Sequence, residues 1–402
     1  MTLIKPVCSA RVNLFALGVL LTPLAAHAEI SGNVALEARA FTRSPLVAQQ
    51  TRQQVSVSGQ LEYSYGWDND KQRFTFTPFA RLDSADNERS HADIRELAYV
   101  RRSDESHEWR IGIRKVFWGV TESQHLVDII NQTDLVEDLD GEEKLGQPMI
   151  NLALFGDWGS LDTFILTGFR ERTFPGDEGR LRSSPMVESS RSSYQAANRS
   201  KHTDLAMRWA KSTGTFDAAL SYFYGTSREP RFNAVFDGSQ IVLAPHYDLI
   251  KQSGVELQKV QDATLLKMEA IHRSSSSDSY WASTVGLEHT LSDWLHSGKD
   301  LGLIAEHLYD QRGASAATPF QDDIMLGLRL AFNDAGSSEA LLGVIGDRHS
   351  TARIYTLETS WRVGDYWKWS LKARLFDAIP AQDLLYSSRR DDFIKLEWAR
   401  YF

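Results

Sequence analysis

A two-residue alternation of apolar and polar side chains most limits how this chain can fold. In the stretch QVSVSGQLEYSYGWD, one parity carries Val55, Val57, Leu61, Tyr63, Tyr65 and Trp67, and the other carries Ser56, Ser58, Gln60, Glu62 and Ser64. The same alternation recurs in RFTFTPFARLD and YWKWSLKARLF. Period two predicts β-strands with one apolar face, and these runs exceed the roughly five or six residues usual in soluble strands.

The connections between these segments separate a transmembrane barrel from a soluble sandwich. We predict eighteen strands, with sixteen as the alternative count, at residues 30–41, 54–67, 73–84, 92–102, 108–119, 148–157, 161–174, 202–212, 215–227, 250–260, 263–273, 279–291, 300–310, 322–333, 339–347, 352–363, 366–377 and 391–402. Short connections such as NDKQ and GDWG tend to alternate with long ones such as 120–147 and 175–201. The sequence therefore predicts an all-β fold, a transmembrane antiparallel β-barrel with short periplasmic turns and long extracellular loops.

The N-terminal segment has the three parts of a secretory signal peptide. Two basic residues precede an apolar run, which ends in the small-residue triplet AHA. This pattern predicts cleavage after Ala28, so that residues 1–28 are removed and residues 29–402 form the barrel. The apolar run is shorter than the roughly 20 residues of a membrane anchor, which is the alternative interpretation. The single cysteine, Cys8, lies in this segment, so no disulfide or cysteine-bound metal is expected in the mature chain.

The stretch FIKLEWARYF is predicted to close the barrel by pairing with the first strand. Such closure satisfies the backbone hydrogen bonds of both edges, as the bilayer interior requires. The aromatic pattern resembles the C-terminal signature by which outer-membrane barrels are recognised for assembly, so Trp398 and Phe402 are predicted to form a membrane assembly signal. Arg400 departs from this pattern because the alternation places its charge on the lipid face, where a long side chain near the rim can reach the headgroups.

Charged side chains of the predicted strands fall on the polar face and are therefore predicted to line the lumen. These candidate pore-lining residues are Glu62, Arg81, Lys267, Glu269, Arg273, Glu288, Glu306, Asp310, Arg329, Glu358, Arg362, Lys368, Lys372 and Arg374. An Arg or Lys on the lipid face at the bilayer midplane would cost about 2–4 kcal/mol. Because both signs occur, two interpretations remain open. One is a water-filled conduit whose field selects solutes, and the other is an ion-pair network that crosses and braces the lumen.

Segment 120–147 is predicted to be the constriction loop. It is strongly acidic, and its candidate site residues are Glu122, Asp128, Asp134, Glu137 and Asp138. A long barrel loop that folds into the lumen narrows it, whereas an acidic loop in solvent is the alternative interpretation. Clustered carboxylates can also bind a divalent cation. The stretch DLDGEE lacks the spacing of an EF-hand, so neither a metal nor another cofactor is predicted.

The residue pattern favours transport over catalysis. His272 precedes a run of serines, but adjacency in sequence is not the hydrogen-bonded nucleophile, base and orienting group that the chemistry needs. No enzyme activity is expected, and a hydrolase is the least favoured alternative. A net charge of -9 gives no basic surface for nucleic acid. The expected partners are outer-membrane lipids and lipopolysaccharide, the barrel-assembly machinery and small solutes.

Two segments resemble known outer-membrane families. The stretch RIGIRKVFWGVTESQHLVDIINQTD is similar to the strand-to-loop segment of porin-like proteins, through Gly112, Arg114, Trp118, Gly119, Asn131 and Asp134. The segment from Pro245 onward resembles a widespread, largely uncharacterised family of Gram-negative outer-membrane barrels. The stretches that carry this resemblance are PHYDLIKQSGVELQKVQDATLLKMEAIHRS, GLEHT, GLIAEHLYDQRG, DDIMLGLRLAFND and DDFIKLEWARYF. This resemblance implies location and architecture but supplies no substrate. The expected function is a porin-like channel for small solutes, and a non-conducting structural or assembly barrel is the alternative.

Overall fold

The computed structural model describes residues 27–103 and 105–402, and its main element is one sheet of 18 strands. The strands of this sheet are β1 (His27–Phe41), β2 (Gln53–Trp67), β3 (Gln72–Asp83), β4 (His91–Arg102), β5 (His107–Arg114), β6 (Gln147–Gly156), β7 (Gly159–Leu166), β9 (Asp204–Thr213), β10 (Phe216–Thr226), β13 (Leu249–Gln261), β14 (Thr264–Ser274), β15 (Ser279–Leu291), β16 (Asp300–Asp310), β17 (Asp322–Ala331), β18 (Glu339–Asp347), β19 (Arg353–Val363), β20 (Trp367–Asp377) and β21 (Phe393–Tyr401). A separate sheet contains β8 (Ser193–Tyr194), β11 (Arg231–Phe236) and β12 (Ile241–Tyr247). The described residues also form short 3-10 helices at Ser189–Arg191, Arg199–Lys201, Trp294–His296, Gly313–Ser315 and Leu384–Ser388.

The large sheet closes on itself because β1 pairs antiparallel with both β2 and β21. The closing register runs from Asn33 opposite Tyr401 to Phe41 opposite Phe393. Gly32 and Phe402 extend this seam by exchanging two backbone hydrogen bonds of 3.1 Å. The prediction of an antiparallel all-β barrel is confirmed, and the strand count is 18 rather than 16.

The predicted signal peptide falls almost wholly outside the described residues. The structure begins at His27, where β1 also begins, so the described chain includes only the last two residues of the predicted segment 1–28. Among the described residues, no helix is long and apolar enough to cross a membrane.

The two faces of the wall follow the alternation in the sequence. Large apolar side chains stand exposed on the outer face, as for Leu82, Ile30 and Leu326. Inward-facing neighbours include charged residues with little exposure, such as Glu37 and Glu306. This arrangement puts the apolar side of each strand against lipid and leaves the charges inside.

The connections confirm the division into a short-turn rim and a long-loop rim. Turns on one rim include 68–71, 157–158, 214–215 and 262–263. Loops on the other rim include 115–146, 167–203, 227–248 and 378–392. The small sheet of β8, β11 and β12 lies in these long loops, where no strand is predicted from the sequence.

Two predicted strands are shorter than expected. The strand predicted at 108–119 ends at Arg114, and the strand predicted at 161–174 ends at Leu166. At the end of β5, the side chain of Asn131 makes backbone hydrogen bonds that a neighbouring strand would otherwise make. Its amide donates to the carbonyl oxygens of Arg114 and Leu145, each at 2.8 Å, and its oxygen accepts from the backbone N–H of Val116 at 2.8 Å. These three backbone groups are therefore paired at the point where the chain leaves the wall.

The assignment of the two faces can be tested at Leu326, which is 53% exposed on the outer face of β17. Leu326→Arg is expected to lower the free energy of unfolding by about 2–4 kcal/mol, because it puts a charge into lipid near the bilayer midplane. Denaturant unfolding in lipid bilayers measures this change.

Thr356→Arg is the matched control for Leu326→Arg. Thr356 pairs with Gly343, which pairs with Gly327 beside Leu326, so the two sites stand at nearly the same height. The side chain of Thr356 lines an inner cavity instead of the lipid face. Equal destabilisation by the two substitutions would contradict the assignment of faces.

Candidate functional site

Residues 115–146, hereafter the inner loop, connect β5 to β6 and lie within the barrel. Val127, Ile130 and Asp134 of this loop have no exposed surface. The apolar side of the loop packs against Phe164, Ile271 and other inward-facing residues of the wall. Its polar side meets charged side chains of three separate parts of the wall.

Glu269 of β14 holds the first turn of the inner loop. Its Oε1 accepts hydrogen bonds from the backbone N–H groups of Val120 at 2.7 Å and Thr121 at 3.0 Å, and from the Thr121 hydroxyl at 2.7 Å. Its Oε2 accepts from the backbone N–H of Val127 at 3.3 Å. Glu269 has no exposed surface. A buried carboxylate that accepts several N–H groups forms strong, charge-assisted bonds, so this side chain fixes the loop to β14.

Glu306 of β16 holds the next two residues in the same way. Its two carboxylate oxygens accept from the backbone N–H groups of Glu122 at 2.7 Å and Ser123 at 2.8 Å. The side chain of Glu122 then pairs with Arg329 of β17 at 2.5 Å, and Arg329 also lies 3.8 Å from Glu288. The loop is thus bound to β14, β16 and β17 on one side of the barrel.

His125 adds a positive charge beside these carboxylates. Its Nε2 lies 3.2 Å from Glu142, and its Nδ1 lies 3.8 Å from Glu269. Burial acts to lower the pKa of His125, but hydrogen bonds and charges from Glu142 and Glu269 outweigh it and raise the pKa to about 10. His125 is therefore an imidazolium at neutral pH.

Arginines of β3 and the following loop bind the inner loop on the opposite wall. Arg81 donates to both oxygens of Glu137 at 2.8–3.1 Å and also lies 3.4 Å from Glu37 of β1. Arg89 lies 3.1 Å from Glu37 and donates to the carbonyl oxygen of Val136 at 2.8 Å. Burial acts to raise the pKa of Glu137, but the charge and hydrogen bonds of Arg81 hold it below the ordinary value. These charges are compensated, although they are buried.

Two lysines near the barrel seam bind the middle of the inner loop. Lys395 of β21 lies 3.1 Å from Asp138, and Lys372 of β20 lies 3.2 Å from the same carboxylate. Lys372 also contacts Asp140 and lies 2.9 Å from Glu358 of β19. Burial acts to raise the pKa of Asp138, but the charges of Lys395 and Lys372 hold it well below its ordinary value.

Two cavities remain between the inner loop and the wall formed by β17–β20. The larger, about 470 Å³, includes Glu339, Ser360 and Lys368, which stand near the short-turn rim. The other, about 360 Å³, includes Arg374 and Thr356 and lies further towards the long loops. Both are lined by Glu122, Leu341 and Glu358. The two cavities therefore follow one another along the wall and meet beside Glu122.

A third cavity continues this series on the side of the long loops. Its volume is about 240 Å³, and it shares Ser123, His125, Asp140 and Glu142 with the cavity of 360 Å³.

The candidate pore-lining residues fall into three groups according to what their side chains contact in the structure. Those that line the two larger cavities are Arg329, Glu358, Lys368, Lys372 and Arg374. Those that bind the inner loop without lining these cavities are Arg81, Glu269 and Glu306. Those that bond chiefly to other parts of the wall or the long loops, or stand near the short-turn rim, are Glu62, Lys267, Arg273, Glu288, Asp310 and Arg362.

The candidate constriction residues are also divided. Glu122 lines both larger cavities, whereas Glu137 and Asp138 bind cations of the wall. Asp128 pairs with Lys144 at 3.2 Å, and Asp134 accepts a hydrogen bond from the Thr173 hydroxyl at 2.7 Å. In the part of the chain that the structure describes, no group of three or more His, Cys, Asp or Glu side chains could hold a metal ion.

Several residues that hold the inner loop, or belong to the charged cluster around its arginine partners, were not among the sequence candidates. Glu37 and Arg39 share one parity in the stretch VALEARAF, so the alternation of β1 could have placed them in the lumen. Arg89 lies in the connection between β3 and β4, where no periodicity indicates its direction. Asp140 belongs to the predicted loop but was not singled out.

A Ser-His-Asp arrangement occurs in the small outer sheet. The Ser193 hydroxyl lies 2.8 Å from Nδ1 of His246, whose Nε2 lies 3.2 Å from Asp248. In nucleophilic serine sites the two ring nitrogens have the opposite roles, with Nε2 towards the serine. Asp248 is also paired with Arg231 at 2.9 Å, and Ser193 lines none of the cavities described above. These contacts join β8 to β12.

Comparison with known proteins identifies the fold. No family model matches the chain, and no curated protein matches it. A BenF-like porin from Pseudomonas fluorescens aligns over 94% of this chain and 98% of its own, at 11% identity and a TM-score of 0.53. Pseudomonas aeruginosa OpdO aligns over 94% and 96%, at 11% identity and a TM-score of 0.54. OccK11 (OpdR) of the same organism aligns over 94% and 96%, at 9% identity and a TM-score of 0.52.

This similarity extends over nearly the whole length of both chains, but the sequence identity is low. It therefore shows a shared fold. The chain is a porin-like antiparallel β-barrel, and the prediction of that architecture is confirmed.

Proposed function

We propose that this barrel is a channel for the passive, selective passage of small polar solutes, with the inner loop as its constriction. The observation that carries this proposal is the pair of cavities that meet beside Glu122 and Glu358. Their walls are charged on both sides. A charged, water-accessible passage between a fixed loop and a barrel wall is the arrangement by which pores select solutes.

Charges of opposite sign face each other across part of this passage, within a lining that carries both signs on each side. Lys368, Lys372 and Arg374 lie on the inner face of β20 at spacings that keep side chains on one face. Glu122 of the inner loop lines both cavities, and Asp140 lines the cavity of 360 Å³. A field across the passage orients dipolar solutes, so we propose that small polar molecules with separated charges pass more readily than apolar ones.

A non-conducting barrel is the competing proposal, because the same ion pairs also brace the lumen. Planar-bilayer recording of the folded, full-length barrel separates the two. Discrete conductance steps support the channel, and a folded protein that inserts but stays silent overturns it.

Neutralising the cationic side of the passage is expected to change ion preference. In Lys368→Gln/Lys372→Gln/Arg374→Gln, the ratio of cation to anion permeability should rise by about threefold or more. A unit charge about 7 Å from a passing ion contributes about 0.6 kcal/mol even in water. The reversal potential in a salt gradient measures this ratio.

The matched control neutralises three exposed lysines beside the short turns: Lys71, Lys211 and Lys259. It removes the same formal charge outside the two cavities, and only a small shift is expected because salt screens exposed charges. If both triple variants shift the reversal potential equally, the strip on β20 is not part of the pathway.

A further inference from the structure

One cation lies on the lipid side of the barrel near the closing seam. Arg400 is exposed on the outer face of β21, and its guanidinium carbon lies 5.6 Å from the centre of the Trp367 ring. Trp367 stacks on Trp398 at 4.5 Å, and Trp398 stacks on Trp369 at 5.7 Å. Among the residues described, no carboxylate lies within ion-pair distance of Arg400. A cation at the membrane surface without a carboxylate partner favours an anionic ligand from the membrane.

An apolar groove begins at Arg400 and follows the seam between β21, β1 and β2. It has a volume of about 550 Å³, and its lining includes Val34, Leu36, Val57, Trp398, Arg400 and Phe402. Except for Arg400, these side chains are apolar or aromatic. The groove thus joins a positive charge at one end to a surface suited to hydrocarbon.

A second outer groove lies on the other side of Phe402. Its volume is about 830 Å³, and it shares Val34 and Phe402 with the first groove. Pro78 lines this groove, and the pairing register of β3 with β4 shifts between Thr77 and Pro78, where proline cannot donate to the ladder. The Phe402 ring separates the two grooves and lies over Gly32, where an added Cβ would stand 2.9 Å from a ring carbon.

We propose that these two grooves and Arg400 bind one phospholipid of the periplasmic leaflet. Its phosphate contacts Arg400, and its two acyl chains lie on either side of the Phe402 ring. Arg400 pairs in register with Trp367, which follows the short turn 364–366, and short turns mark the periplasmic rim. The headgroup is therefore at the height of that leaflet. The proposal requires this orientation of the barrel but does not depend on conductance.

Native mass spectrometry of the delipidated, refolded barrel with added phosphatidylglycerol tests the proposal. The wild-type chain is expected to retain one phosphatidylglycerol, and Arg400→Gln should weaken that binding by about tenfold or more, as expected for loss of a charged hydrogen bond. Arg362→Gln is the matched control, because Arg362 lies 5.5 Å from the ring of Tyr401 near the same rim. Arg362 belongs to the inward-facing parity of β19, so the Arg362→Gln variant should retain phosphatidylglycerol as well as the wild type does.

A second variant tests the apolar part of the site and leaves Arg400 in place. Val57→Trp should fill the groove of 550 Å³ and reduce retention, and heat-dependent mobility on a gel confirms that each variant is folded. Three results would overturn the proposal. They are unchanged retention in a folded Arg400→Gln or Val57→Trp variant, equal loss in Arg400→Gln and Arg362→Gln, and binding of lipid A but not of phosphatidylglycerol by the wild type.

Discussion

Replacing Glu269 and Glu306 together by alanine is expected to raise single-channel conductance on the order of twofold or more, because conductance follows the width of the pore. These two carboxylates accept the backbone N–H groups of residues 120–123. A hydrogen bond to a charged group contributes about 1.5–3 kcal/mol, so losing several of them outweighs the remaining contacts of this turn. His125 also loses one of its two compensating charges. The first half of the inner loop should therefore leave β14 and β16, and the passage beside Glu122 should widen.

Glu256→Ala is the control for this double substitution. Glu256 is a buried carboxylate of the adjacent strand β13, but it binds Arg208 of the wall at 2.7–2.8 Å and does not touch the inner loop. Its loss should leave the conductance close to that of the wild type. A folded Glu269→Ala/Glu306→Ala barrel with unchanged or smaller steps would show that the loop does not narrow the pathway.

The alternation in the sequence predicted the wall of the barrel well. The strand predicted at 300–310 coincides with Asp300–Asp310, and all eighteen predicted strands occur in the closed sheet. Strand boundaries and faces are local properties, because each residue contributes to one face of one strand. The same reasoning could not separate Glu269, which binds the loop, from Lys368, which lines a cavity. Both have inward parity, and their roles depend on what lies across the lumen.

The contacts of the inner loop were beyond sequence reasoning for the same reason. Lys395 and Asp138 are 257 residues apart and belong to no common pattern. The early end of β5 was also missed, because Asn131 supplies hydrogen bonds that a strand prediction assigns to a neighbouring strand. The hairpin of β11 and β12 could have been found. RFNAVF and IVLAPHY are strand-like runs around DGSQ, which is a hairpin signal.

Glu137→Ala is expected to lower the free energy of unfolding by about 3–5 kcal/mol. Glu137 is 6% exposed and accepts a bidentate contact from Arg81. Its carboxylate also lies 3.9 Å from the guanidinium group of Arg95. Without it, Glu37 at 3.4 Å is the one carboxylate partner that Arg81 keeps among the described residues, in a buried cluster that also contains Arg39 and Arg89. Removing one partner from a buried ion pair costs this much because the remaining charge stays uncompensated. Denaturant unfolding followed by tryptophan fluorescence measures the change.

Glu143→Ala separates this effect from the general loss of a loop carboxylate. Glu143 pairs with Arg95 at 2.8 Å, but its side chain is 45% exposed, so its removal should cost about 1 kcal/mol or less. The pH dependence of the loss of stability in Glu137→Ala gives a second test of this role of Glu137. Because the pKa of Glu137 is held below its ordinary value of 4.5, its contribution is complete above that value and is lost as the pH falls towards the lowered pKa. The difference in stability between wild type and Glu137→Ala should therefore be constant at neutral pH and shrink in acid. Two results would show that Glu137 does not compensate the buried arginines. One is that Glu137→Ala and Glu143→Ala lower the free energy of unfolding equally, and the other is that the effect of Glu137→Ala grows in acid.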